Sequence, residues 1–167
     1  MGRVLGRVER LGFRLWRRTP LVFRLFLIRR MTPSYHVGAM CVIERPDGAL
    51  LLIRNSYRRG WGFPGGFLKR GESPGDAARR ETCEEIGVEV DIDTNPKVVV
   101  DPRLRRVDVI FTGRLPSGAP ITTPRPRSAE ILEAQWFPAT QLPDLQPEAV
   151  TALIQLGRSQ RPPRPSV

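Results

Sequence analysis

Three glutamates, Glu81, Glu84 and Glu85, stand at i, i+3 and i+4, a spacing that places their carboxylates on adjacent positions of one helical face. Like charges so placed repel, so the face is either simply solvated or holds a cation. A Gly65-Gly66 turn ahead of the helix and a further acid, Glu72, at the junction favour the cation. Hard divalent cations take oxygen ligands, and clustered carboxylates bind Mg2+ when substrate phosphates complete the coordination shell. Upstream, Arg54, Arg58 and Arg59 can grip phosphates by bidentate contacts or stand as a solvated loop. Tyr57, Trp61 and Phe63 can stack on a base; for Trp61 and Phe63 the alternative is packing beneath the Pro64-Gly65-Gly66 bend.

The elements that must position these groups are written in hydrophobic periodicity and turn chemistry. Val37 to Glu44 and Ala49 to Arg54 are apolar, β-rich runs joined by Arg45-Pro46-Asp47-Gly48, which predicts a hairpin of two adjacent antiparallel strands. Phe63 to Phe67 predicts a short strand or bend. Ser73-Pro74 opens a helix that runs to Ile86 and stops at Gly87, a glycine cap. Val88 to Ile92, Lys97 to Asp101, Val107 to Leu115 and Ile131 to Phe137 are strand-like, with Val107 to Leu115 central. Pro116 to Ser128 holds four prolines and predicts a long surface loop, and a last helix begins at Pro147.

From Gly66 to Val88 the chain reads GFLKRGESPGDAARRETCEEIGV. This stretch resembles the Nudix box: Gly66, Glu72, Arg80-Glu81, Glu84-Glu85 and Gly87-Val88 fall at the box's fixed positions, with Thr82 as the one mild departure, at an aliphatic position. The resemblance extends from about Tyr35 to Leu156, with Trp61 and Pro64-Gly65-Gly66 ahead of the box and Trp136-Phe137-Pro138 behind it. It implies an α/β chain of the Nudix fold, a mixed β-sheet sandwiched between helices. It also implies Mg2+- or Mn2+-dependent hydrolysis of a nucleoside diphosphate linked to another moiety, such as a nucleotide sugar, ADP-ribose or a nucleoside triphosphate. Glu81, Glu84 and Glu85 would hold the metal with the Gly66 carbonyl, while Glu72 and Arg80 brace the loop-helix-loop. Glu130, six residues before Trp136, would be a distal acidic ligand or base, with Glu133 as the fallback. A carboxylate must orient or deprotonate the attacking water, and Glu84, Glu85 and Glu130 each qualify. A non-catalytic ligand sensor on the same fold, and a hydrolase or isomerase of a prenyl diphosphate, are the alternatives.

The net charge of +10 does not belong to this central region. Residues 1–30 hold nine Arg against one Glu, the tail from 157 holds three Arg, and the middle is near neutral. Three segments are therefore expected: a basic helical extension over 1–33, the Nudix-like domain over 34–157, and a disordered Pro/Arg tail over 158–167. In the extension, Arg3 to Arg18 predicts an amphipathic helix with arginines on one arc, followed by a second helix after Thr19-Pro20. Its apolar arc can pack on the domain, pair with a second subunit in a homodimer, or lie on an anionic membrane surface through residues 3–28. The Pro20 to Ile28 run is too short and too charged to span a bilayer, and the arginines after it do not fit a secretory cleavage site. No groove-reading motif supports sequence-specific nucleic-acid binding. Two cysteines suit a cytoplasmic protein; Cys41 and Cys83 read as small buried hydrophobes, and His36 as structural.

Overall fold

The computed structural model describes residues 16–116 and 124–157, and the chain divides into two units, Met1–Tyr35 and His36–Val167. Most of the expected arginine arc at 3–18, the 117–123 part of the Pro-rich loop and the tail from 158 lie outside the described residues. In the first unit, helix α1, Leu21–Met31, starts directly after Pro20. Successive residues turn by about 100° in a helix, so Arg24, Arg29 and Arg30 fall on different sides of α1 and form no single charged arc. The helix ends where Thr32, ahead of Pro33, turns its N–H and its hydroxyl back to the Ile28 carbonyl at 2.8 and 2.7 Å. Among the described residues no helix is long and apolar enough to cross a membrane.

The second unit is built on strand β1, His36–Ile43, which has a neighbour on each edge. Strand β3, Gly65–Phe67, pairs with it antiparallel, and β6, Arg106–Arg114, pairs with it parallel over eight residues. Beyond β6 lie β4, Asp91–Ile92, and β5, Lys97–Asp101, both antiparallel to it. A second sheet joins β2, Ala49–Asn55, to β7, Ile131–Pro138. The expected β1–β2 hairpin is therefore not formed. The Arg45-Pro46-Asp47-Gly48 turn closes through Gly48 N–H to Arg45 O at 2.8 Å, and one bridge, Glu44 to Leu50, follows it. The strands then part, because both edges of β1 are already taken and β2 finds its partner in β7.

Alternation along the strands divides the core into two layers. Ala39, Cys41 and Ile43 of β1 pack with Leu51 and Ile53 against helix α2, Pro74–Ile86. Met40, Val42, Leu50 and Leu52 pack on the other side with Ala149, Ala152 and Leu153 of helix α3, Pro147–Gln155. The sheets are thus sandwiched between helices, as the resemblance implied, with β6 central. Cys41 is buried, but Cys83 is exposed, because the buried face of α2 runs through Ala77, Ala78, Thr82, Glu85 and Ile86.

The close pairing of β3 with β1 depends on Gly65. A Cβ there would collide with the Ala39 carbonyl oxygen and lie 2.7 Å from the Met40 Cα, and neither backbone atom can yield. Gly65→Ala is expected to destabilise the protein by about 1–3 kcal/mol, the range of overpacked substitutions, as measured by urea unfolding. A change within experimental error would mean that β3 can move off β1 freely.

Candidate active site

Helix α2 starts where Ser73 accepts a hydrogen bond from Asp76 N–H at 3.2 Å, with Pro74 at the first helical position, and ends at Gly87 in the left-handed conformation at φ 68°. Those two caps set where the helix starts and stops, and its buried face, Ala77, Ala78, Thr82, Glu85 and Ile86, sets its rotation and so the direction of its acids. Thr82, the departure from the aliphatic pattern, is fully buried, and its hydroxyl donates to the Ala78 carbonyl at 2.8 Å.

Arg80 organises the carboxylates. It donates to both oxygens of Glu72 at 2.6 and 2.9 Å, to Glu81 Oε1 at 2.6 Å, to Glu84 Oε2 at 3.1 Å and to the Phe67 carbonyl at 3.2 Å. Glu72 also accepts from Lys69 N–H at 2.8 Å, and the Arg80 hydrogen bond holds its carboxyl down at about 2. Glu84 is drawn away from the sheet: Lys69 Nζ lies 3.2 Å from it, and that bond, with Arg80, lowers its pKa.

Glu85 points the other way, into a cavity of about 420 Å³ between β1, β2, β3, α2 and α3. Its Oε2 accepts from Gly65 N–H at 3.1 Å. Burial, with the charges of Glu81, Glu130 and Glu84 adding to it, pushes its carboxyl up to about 8 against the pull of the Gly65 N–H. Glu81, Glu130 and Gly66 line the same cavity. The Glu81 carboxylate lies so close over Gly66 that a Cβ there would come within 2.5 Å of it. Tyr57 stands beside these acids: burial, then Glu130 and Glu85, raise its hydroxyl pKa.

At the cavity's other end Arg58 donates to both oxygens of Glu148 at 2.8 and 2.7 Å, and Arg106 bridges Glu148 at 3.1 Å and Asp108 at 2.7 Å. On the floor between the two ends, Gln146 Nε2 donates to Asn55 Oδ1 at 3.0 Å and to the Gly60 carbonyl at 3.3 Å.

Of the residues expected from the sequence, the cavity gathers Gly66, Glu81, Glu85, Glu130, Arg58, Tyr57 and Phe63. Glu84 stays outside its lining, on the exposed side of α2. Arg54 is not at the cavity either: it pairs with Glu133, its cross-strand neighbour in the β2–β7 ladder, which also removes Glu133 from the candidate bases. Arg59 is exposed and lines no part of the cavity. Trp61 belongs to the core, its ring edge-on to Phe137 at 4.8 Å, so the packing alternative holds for it. Asn55, Asp108, Gln146 and Glu148 were not foreseen. An aspartate within the apolar Val107–Phe111 run was a usable signal for Asp108; Glu148, in the first turn of α3, is masked by the ordinary preference of helix N-termini for acids.

A family model described as the NUDIX domain matches residues 34–156. The chain belongs to the Nudix family. Among curated relatives, a "MutT-like protein" of Streptomyces ambofaciens is 32% identical over 105 residues, 63% of this chain and 65% of that protein. The "8-oxo-dGDP phosphatase NUDT18" of Homo sapiens is 32% identical over 139 residues, 79% of this chain but 41% of its own length. This Nudix chain therefore spans less than two thirds of either. Among solved structures, a Nudix hydrolase from Nitrosomonas europaea superposes with TM-score 0.62 at 23% identity, covering 77% of this chain and 76% of that one. A UDP-X diphosphatase superposes with TM-score 0.61 at 20% identity, covering 84% and 69%.

The donor set of the Nudix site suits a hard divalent cation. All its acids are oxygen ligands, and burial first, then the charges of Glu81, Glu130 and Glu84, disfavour ionisation of Glu85; a cation beside it would offset both. Among the described residues no group of three or more Asp, Glu, His or Cys side chains is already gathered to hold a metal ion. Glu85 also sets a pH dependence. Its carboxyl rises from 4.5 to about 8 on folding, so its contribution to stability is fully present below the unfolded value and is lost as pH rises through the folded one. In EDTA, the melting temperature of the wild type is expected to fall between about pH 5 and 8 more steeply than that of Glu85→Gln, whose side chain does not titrate. Parallel profiles would contradict the buried, protonated Glu85.

Proposed function

We propose that this Nudix domain hydrolyses the diphosphate linkage of a nucleoside diphosphate joined to another moiety, with Mg2+ or Mn2+ as cofactor. The observation that carries this reading is the placement of Glu81, Glu85, Glu130 and Gly66 along one end of a single cavity whose floor is polar and hydrogen-bonding. The names of similar proteins point the same way: they include an 8-oxo-dGDP phosphatase, a UDP-X diphosphatase and an ADP-ribose pyrophosphatase. When bound, the cation supplies charge neutralisation along the diphosphate and makes water more acidic. Glu81 and Glu85, with the Gly66 carbonyl, would hold it, and Glu84 would join them by leaving Arg80 and Lys69.

Glu130 is the best placed of the acids to take the proton of the attacking water, because it lines the cavity and makes no ion pair among the described residues. Its backbone is fixed by Ser56 N–H to the Glu130 carbonyl at 2.8 Å, and Ser128 Oγ caps its N–H at 3.1 Å. A new P–O bond forms to water as the bridging P–O bond breaks. The products are a nucleoside monophosphate and the phosphorylated remainder, or pyrophosphate from a triphosphate.

The test is a screen with Mg2+ over nucleoside triphosphates, oxidised nucleotides, ADP-ribose, nucleotide sugars and prenyl diphosphates, read by chromatographic separation of the products formed: nucleoside monophosphate, pyrophosphate or the phosphorylated remainder. Hydrolysis of at least one nucleotide is expected. Glu85→Gln is expected to lower kcat by about a hundred- to ten-thousand-fold, and Glu130→Gln by about a hundredfold. Glu133→Gln, which lies at the exposed Arg54 pair, should change kcat less than about threefold. Silence across the nucleotides with Mg2+ and nucleotide binding retained would favour the sensor, and cleavage of a prenyl diphosphate alone would favour the third reading.

A further inference from the structure

Strand β5 lies at the edge of the five-stranded sheet. One side pairs with β6 in an unbroken antiparallel register from Lys97 opposite Ile110 to Asp101 opposite Arg106, and among the described residues no strand pairs with its other side. Val99 turns into the α3 layer of the core. Val98 and Val100 stand on the opposite face, each 55% exposed, with Leu104 of the following turn 64% exposed. Edge strands of monomeric proteins are commonly blunted by a central charge, a proline or a bulge. β5 has none of these, only three consecutive valines.

The ends of the strand say what fits it. β5 reads Lys-Val-Val-Val-Asp, a pattern complementary to itself when run antiparallel. A two-fold axis through Val99 sets Lys97 of one copy opposite Asp101 of the other, twice, and Val98 opposite Val100, twice. The four valines then share one face as a continuous stripe. A parallel copy in register would set lysine against lysine and aspartate against aspartate, and a one-residue slip would turn the exposed valines to the wrong face. Asp101 is held in place for this role: its Oδ1 accepts Arg103 N–H and Leu104 N–H at 2.8 and 3.1 Å, which leaves Oδ2 for a partner. Lys97 makes no ion pair among the described residues.

We propose that two copies of this chain associate through β5, pairing antiparallel about Val99 so that their five-stranded sheets join into one. The strand is short, so the dimer is expected to be weak and reversible.

Sedimentation of the full chain from about 5 to 200 µM should show a monomer–dimer equilibrium. Carbodiimide coupling of a mixture of 14N- and 15N-labelled chains should give mixed-isotope peptides joining Lys97 to Asp101. Lys97→Asp should weaken the dimer at least tenfold, and the exchange Lys97→Asp with Asp101→Lys should restore it. Val100→Glu, which spares the Asp101 turn, should weaken it as well if the exchange variant folds poorly. A monomer throughout the concentration range overturns the proposal, including a monomer whose own chain covers the edge. So does a dimer indifferent to both Lys97→Asp and Val100→Glu, which would place the interface elsewhere.

Discussion

Arg80 donates to Glu72 through both oxygens, to Glu81, to Glu84 and to the Phe67 carbonyl, and through those bonds one planar guanidinium holds three acids and two backbone segments in register. Without it the carboxylates would push apart, and the loop from Phe67 to Glu72 would lose its tie to α2. Arginine suits the position because its fork meets Glu72 bidentately while the remaining N–H groups reach other partners at fixed angles; an ammonium is a point charge without that geometry. The pairing also sorts the acids. Glu72 is consumed by the brace and Glu84 is held outside the cavity lining, whereas Glu85 is left facing the cavity and accepts the Gly65 backbone N–H.

That backbone N–H belongs to Gly65, and its position is set by the sheet. β3 reaches β1 closely only because residue 65 has no side chain, and β1 is itself locked between β3 and β6. The helix and the sheet therefore meet at Glu85: caps and Arg80 orient it from one side, the β1–β3 ladder from the other. The cost of burying its carboxyl appears as the raised pKa, a strain that belongs to the site rather than to the core.

How much of this is legible in the sequence follows from how local each feature is. Helix α2 and its Ser73 and Gly87 caps depend on residues within a few positions of one another and are readable; the single face expected for Glu81, Glu84 and Glu85 is not kept whole, because Lys69 and Arg80 draw Glu84 outside the cavity lining. Strand partners are not local. The Arg45–Gly48 turn is a sound turn, yet nothing near it records that β1 has both edges occupied, so the hairpin expectation fails. Side-chain roles fail for the same reason. Arg54 and Arg58 look alike in the sequence, but Glu133 and Glu148, both distant along the chain, send one to the outer ladder and the other to the cavity. Cys83 misleads because one helical position separates it from the buried face of α2, which runs through Thr82.

The two ends of the cavity differ in charge balance, and the difference bears on how a diphosphate could be held. At the far end, Arg58 and Arg106 face Glu148 and Asp108, so positive and negative side chains are matched and joined by hydrogen bonds. At the near end, Glu81, Glu85 and Glu130 meet Arg80 only through Glu81. Arg58 and Arg106 are the only basic residues lining the cavity among the described residues, and both are already committed to acids. Phosphate binding by free arginines, an attractive reading of Arg54, Arg58 and Arg59 in the sequence, is therefore not what this arrangement offers. An anionic diphosphate would meet an excess of carboxylate at one end and a neutralised lattice at the other. A cation held at the carboxylate end would reverse that sign, whereas the balanced end, with its Asn55–Gln146 floor, suits an uncharged polar group.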